Sequence, residues 1–338
     1  MCDLSYWKSD LSEIEKIIGS VKKGNIVKSK SAGNKNIYLV EYGKENNLKR
    51  KANYSSACGA RDISCYADKS HSDYRPSVLI VGGIHGAECE GIMAALNLIS
   101  YLENGIDLSG RHNDELLKQM REINLHIIPC ANPDGRVRFP KQSAVGMGIN
   151  EFRYYAQGTW KNGDLCNWPE CKRVHPIKEA SDYLGAYYND DGINMMHDNF
   201  CIPMAEETNF LMKVVDRIVP DMTVLLHGCA DAKSEILMPR AVHSYFKDKA
   251  YKFAKKFSEV CEENDLPITL SNPLYGKDEP IHSFNLVSAL TSICGELCMV
   301  YESNQGLCES ANAMSHNDIY RQHMLLFESM FSFVKENV

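Results

Sequence analysis

Three short segments place ionisable side chains where apolar runs stop. In VGGIHGAECEG, His85 and Glu88 lie three residues apart. That spacing brings an imidazole and a carboxylate to one side of a tight turn or helix start, where both can hold one metal ion. Zinc in hydrolases takes three protein ligands, commonly two His and one Glu, and leaves a fourth position for water, so this pair lacks one histidine. His227 ends the apolar run of TVLLHGCA, and Glu302 ends that of CMVYESNQG. A carboxylate at such a place must be solvated, hydrogen-bonded or functional, because burying it unpaired is costly. Apolar neighbours that raise its pKa would suit it to act as a general base. Taken singly, each residue has a plainer explanation: His85 as a helix cap bonded to backbone, His227 as a satisfied strand-end histidine.

The elements around these residues alternate. Apolar strands are expected at Ser77 to Ile84, Leu125 to Cys130, Met222 to Leu226 and Leu297 to Tyr301. Helical spacing separates them at Ala87 to Leu102, Asp114 to Arg121, Ala205 to Ile218 and His243 to Glu263, with a last long helix over Ala311 to Val334. A helix over Leu11 to Ile18 and a strand over Asn36 to Tyr42 open the chain. Strands that are apolar throughout, interleaved with helices, indicate an α/β fold whose mixed, mostly parallel sheet is covered on both faces. In such sheets ligands bind at the carboxyl ends of the strands, where His85, His227 and Glu302 would converge.

The 338 residues are 44% hydrophobic and 24% charged, enough apolar material for a full core. No linker, repeat or low-complexity tract divides them, so one continuous domain over 1–338, with 1–75 part of it, is the simplest organisation. Lys and Arg total 37 against 44 Asp and Glu, a net charge of −7 that argues against nucleic-acid binding. No apolar run reaches the roughly 18 residues of a membrane span. The N-terminal residues lack the apolar core of an export signal, and 13 scattered cysteines then fit reduced thiols in a cytoplasm.

The ordered set His85-x-x-Glu88, Asn132-Pro133-Asp134-Gly135, His227 and Glu302 resembles the zinc carboxypeptidase family and its amide-cleaving deacylase relatives. Gly24 to Gly43 looks like that family's early strand pair, and PDMTV before His227 fits as well. The resemblance implies a sheet of about eight strands with helices on both faces. It also implies one zinc per chain, held by His85, Glu88 and His227, and Glu302 as the base that takes the proton of the attacking water. Two imidazoles and a carboxylate also accept cobalt, manganese or nickel, but zinc suits hydrolysis without redox chemistry. The substrate would be a peptide or an N-acyl amino acid, and a catalytically silent zinc-binding protein is the remaining alternative. The oligomeric state is left open. An oxyanion partner is required, and the candidates are Arg136, directly after the NPDG motif, Lys161 in GTWKNG and Arg173 in CKRVHP.

The family's Asn-Arg pair for a free terminal carboxylate falls on Met196 and His197 in DGINMMHDNF, so a guanidinium clamp is missing there. His197 remains as a polar contact for substrate, Asn194 and Asp198 either join it or only order the loop, and Tyr275 is the candidate for the tyrosine that closes over it. Cys166, Cys171 and His175 have irregular spacing and read as free groups rather than a second metal site. Glu296 is a weaker rival for the base, and Glu90 is expected to be solvated, pointing away from Glu88.

Overall fold

The structure is a computed structural model describing residues 4–230 and 232–337. Its strands are β1 (Asn25–Lys30), β2 (Asn36–Tyr42), β3 (Ser77–Val81), β4 (Asn124–Ile128), β5 (Gly158–Trp160), β6 (Ser181–Leu184), β7 (Met222–Cys229), β8 (Ser234–Leu237), β9 (Ile268–Thr269) and β10 (Leu297–Asn304). Its helices are α1 (Leu11–Gly19), α2 (Tyr54–Ala60), α3 (Cys89–Asn104), α4 (Asp114–Met120), α5 (Pro133–Arg138), α6 (Ile149–Gln157), α7 (Glu206–Ile218), α8 (Ser244–Glu263), α9 (Leu286–Cys294) and α10 (His316–Glu336).

Eight strands form one sheet in the order β1-β2-β4-β3-β7-β10-β8-β9, and β5 pairs with β6 apart from it. The four central strands run parallel, while β1, β2 and β8 join antiparallel to their neighbours. Strand side chains alternate between faces. Val78, Ile80, Val224, Leu226, Met299 and Tyr301 pack against α3, α8 and α10, whereas Leu79, Val81, Leu225 and Val300 pack against α7 and α9. Both faces are covered, which explains the unbroken apolar runs in these strands.

The apolar runs do not mark the strand ends. β3 stops at Val81, because Gly82 and Gly83 lead the chain into a loop: Gly82 N–H donates to Ile128 O at 2.8 Å, and Gly83 O accepts from Asn132 N–H at 2.8 Å. β7 and β10 instead continue past their apolar cores, pairing in register through Cys229 and Asn304. The last helix begins at His316 rather than Ala311, where the Ser315 hydroxyl caps Asp318 N–H. No helix among the described residues is long and apolar enough to cross a membrane. The described cysteines are all free; Cys2 lies outside the described residues.

Candidate active site

The loop from β3 to α3 carries His85 and Glu88, and β7 carries His227. Gly91 is why they meet. A Cβ there would stand 2.5 Å from the Leu226 Cβ, so only glycine lets the first turn of α3 lie against β7. The result is a buried cluster: the ligand atoms of His85, Glu88 and His227 all lie within 4.8 Å of one another. Glu88 is 2% exposed and lies between the two imidazoles, with Oε1 2.8 Å from His85 Nδ1 and Oε2 2.9 Å from His227 Nδ1. The second approach lacks hydrogen-bond geometry, and Glu88 Oε2 has no hydrogen-bond partner. Burial works against its ionisation, but the two imidazoles hold the Glu88 carboxyl at about 2. An ionised, buried carboxylate between two imidazoles, one oxygen unsatisfied, fits a tetrahedral zinc ion with a position open for water. No other group of three such side chains that could hold a metal is found among the described residues, so Cys166, Cys171 and His175 do not make a second site.

Beside the cluster, Glu302 on β10 is the register partner of His227, on the sheet face that carries Leu225 and Val300. Burial, together with the nearby Glu88 and Glu235 carboxylates, pushes Glu302 up to about 7 against the pull of His227. Glu296, the rival carboxylate, precedes β10 at its opposite end and is bound by Lys69 Nζ at 2.6 Å.

Asn194 is tied to the cluster. Its Oδ1 lies 3.2 Å from His85 Nε2 and accepts from Met196 N–H at 3.0 Å, while its own N–H donates to His175 Nε2 at 2.9 Å. It therefore orients a candidate ligand. His197 is drawn into the same neighbourhood. Burial, with Lys172 and the imidazoles of His85, His175 and His227 close by, pushes it down to about 3, so it is neutral at pH 7. Asp198 orders the loop instead, accepting from the N–H groups of Met204 and Ala205 at 3.0 and 3.1 Å.

Several residues have surroundings other than those expected from sequence. Arg136 is 2% exposed and its guanidinium is committed elsewhere. It donates to the carbonyls of Ser9, Phe139 and Lys141 and to the Asp10 carboxylate, each at 2.8 Å, because the N-terminal segment folds over α5. Lys161 and Arg173 are exposed on the irregular stretch 158–180 and bond to no member of the cluster. Tyr275 is 43% exposed, its hydroxyl donating to Asp248 on α8. Glu90, expected in solvent, is fully buried: α3 is enclosed over most of its length, burial pushes the carboxyl up to about 8, and neither oxygen has a partner. The expectation failed because α3 has no solvent face in its first turns.

Two side chains escaped sequence reasoning. Tyr187 stacks on His85, with ring centroids 4.1 Å apart and 13° between planes, and feels the charges of Glu88 and Glu302. Lys172 lies near His197 and over the Trp168 ring at 4.7 Å. Both belong to stretches with no periodicity, and neither stands in a motif that would have marked it.

The asparagine of NPDG caps α5, its Oδ1 accepting from Gly135 N–H at 2.8 Å, while buried Asp134 fastens the β1–β2 turn through Ser31, Gly33 and Lys35. Gly86 touches this helix so closely that a Cβ would lie 2.1 Å from Arg136 N. The motif thus braces the loop that presents His85.

The zinc carboxypeptidase family profile matches residues 21–229. Human carboxypeptidase Z is 28% identical over 159 residues, 47% of this chain and 23% of that protein. The catalytic chain of carboxypeptidase N from Rattus norvegicus is 24% identical over 162 residues, 48% of this chain and 33% of that one. The matched region thus spans a third or less of these curated relatives. Among solved structures, a metallo-carboxypeptidase from Burkholderia cenocepacia superposes with a TM-score of 0.61 at 12% identity, over 98% of this chain and 70% of that one. One from Pseudomonas aeruginosa, in complex with (2-guanidinoethylmercapto)succinic acid, gives 0.57 at 11%, over 96% and 67%. The profile match covers more than half of the chain, and the chain belongs to the zinc carboxypeptidase family.

Proposed function

We propose that the chain is a zinc-dependent hydrolase of amide bonds, acting as a carboxypeptidase or related exopeptidase on peptides, with one zinc per chain and residues 1–338 as one catalytic unit. The observation that carries this reading is the buried His85–Glu88–His227 cluster beside Glu302, at the carboxyl ends of parallel strands. Zinc held by these three residues would supply an acidified water and a Lewis acid for the scissile carbonyl. Glu302 takes the proton of the attacking water and returns one to the leaving nitrogen, work suited to a carboxyl lifted to about 7. Asn194 holds the His85 ring through Nε2.

A second reading, an N-acyl amino acid deacylase, uses the same cluster and base, and the departure at Met196 and His197 fits both readings because both substrates end in a free carboxylate. Where the family places an arginine for the terminal carboxylate, this chain has a neutral His197 beside an apolar, buried Met196. The nearby cation is Lys172, a point charge without the bidentate fork of a guanidinium. The free thiols of the described cysteines support a cytoplasmic location.

The test is metal analysis of the purified protein together with release of amino acid from a panel of peptides and N-acyl amino acids, with and without chelator. About one zinc per chain with chelator-sensitive release is expected, and the preferred panel members separate peptidase from deacylase. Zinc without turnover is the result expected of a silent binding protein. Protein that takes up no metal when zinc is offered overturns all three.

A further inference from the structure

The hydrolytic reading requires a hydrogen-bond donor for the oxyanion, and the cations considered for it do not reach the cluster. Arg136 is committed to Ser9, Asp10, Phe139 and Lys141, and Lys161 and Arg173 are exposed and unconnected to the site. Tyr187 is differently placed. Its ring lies flat on His85, with centroids 4.1 Å apart and 13° between planes, which keeps its hydroxyl within a ring's length of a candidate metal ligand, and the charges of Glu88 and Glu302 both act on it.

The hydroxyl also differs from those of the fully buried tyrosines. The buried tyrosines Tyr66, Tyr301 and Tyr320 donate to Asp216, Gln322 and Asp107, respectively, as buried phenols ordinarily do. Tyr187 is instead half-buried, and its hydroxyl is left to solvent or to a bound ligand. Its backbone, by contrast, is fixed. Tyr187 N–H donates to Ala156 O at 2.8 Å, and the preceding Ala186 O accepts from Gly86 N–H at 2.8 Å, one residue from His85. A donor on a fixed backbone, its ring stacked on a candidate metal ligand, can meet developing negative charge with little reorganisation.

We propose that the Tyr187 hydroxyl donates the hydrogen bond that stabilises the oxyanion, in place of an arginine. The proposal rests on the hydrolase reading above. As the water oxygen bonds to the carbonyl carbon and Glu302 takes the water's proton, the carbonyl π pair moves to oxygen, and the Tyr187 O–H points to that oxygen while keeping its proton. Collapse returns the pair to the carbonyl and breaks the C–N bond, with the proton from Glu302 going to nitrogen.

Tyr187→Phe keeps the stacked ring and removes only the donor. The variant is measured in three ways: steady-state kinetics on the best panel substrate, zinc content with melting temperature, and calorimetric affinity for a peptide phosphonate that mimics the tetrahedral intermediate. Expected are a kcat lower by about 10²- to 10³-fold, an unchanged KM, unchanged zinc and melting temperature, and a similar loss of phosphonate affinity. Wild-type kcat and phosphonate affinity in the variant would overturn the assignment. So would loss of zinc in parallel with activity, which would make the ring a packing support for His85. If the wild type turns over no substrate, the hydrolase reading fails and the oxyanion role fails with it, and phosphonate binding through Tyr187 would then mark it as a ligand contact only. If the phosphonate binds both proteins equally, or neither, the donor assignment fails.

Discussion

Glu302 and His227 are register partners on adjacent parallel strands, so their side chains leave the sheet on the same face, side by side. The separation between proposed base and candidate metal ligand is therefore set by the sheet's hydrogen-bond ladder and not by a loop.

Glu302→Gln keeps the shape and removes the base. Hydrolysis should fall by about 10²- to 10⁴-fold with zinc content unaltered, read by steady-state assay and elemental analysis of the same sample. Turnover equal to wild type would take Glu302 out of the chemistry.

Gly86→Ala tests the brace between the His85 loop and α5. The added Cβ would meet Arg136 N at 2.1 Å and the Gly135 carbonyl carbon at 2.2 Å, backbone atoms that cannot swing aside. A loss of about 3 kcal/mol in denaturant unfolding is expected, with zinc affinity falling too because His85 is displaced. A variant as stable as wild type would show that the two segments are not in contact.

Arg136→Gln should damage stability and spare chemistry. It leaves three carbonyls and Asp10 without their donor, at about 1 to 3 kcal/mol for each group stranded without water, and the melting temperature should drop accordingly. At a temperature where the variant is folded, its kcat should match wild type. A selective loss of kcat with unchanged melting would return Arg136 to the reaction.

His323 gives the fold a pH dependence. It is fully buried beside the Tyr301 ring, its Nδ1–H donates to Ile319 O at 2.8 Å, and its Nε2 has no partner; burial pushes it down to about 4. The unfolded chain then binds a proton that the folded chain refuses. Stability attributable to this residue should fall as pH drops from about 6.5 to about 4, by about 1.4 kcal/mol per pH unit, and level off below. His323→Gln should lose that component of the slope whatever its overall stability, as measured by urea unfolding at a series of pH values.

The ordered apolar strands and the polar residues closing them were legible because parallel strands covered on both faces must be apolar throughout, and a break in such a run is conspicuous. The same logic misjudged Glu90. A helix is expected to keep a polar side, but α3 lies between the sheet and further structure, so its first-turn carboxylate is enclosed. Tyr187 and Lys172 were illegible for another reason. Residues 158–200 have little regular structure, and their side chains are placed by contacts such as Ala186 O with Gly86 N–H, which no local pattern encodes. The burial of Arg136 was illegible because two of its partners are far away in sequence: Ser9 is 127 residues from it and Asp10 126.

That last distance bears on the order in which the molecule is assembled. Trp7 Nε1 donates to Gln142 O across 135 residues, the Asn97 amide donates to Tyr6 O across 91, and Tyr6 and Trp7 both enter the main core. Closing loops of this length costs conformational entropy that is recovered only when the distant partner is already in place. The opening residues are thus made early and dock late. Tyr6 lies against Tyr320 and Trp7 against His316, both on α10, so their burial needs elements far apart in sequence, and Trp7 fluorescence should report one of the slower folding steps rather than the collapse of the sheet.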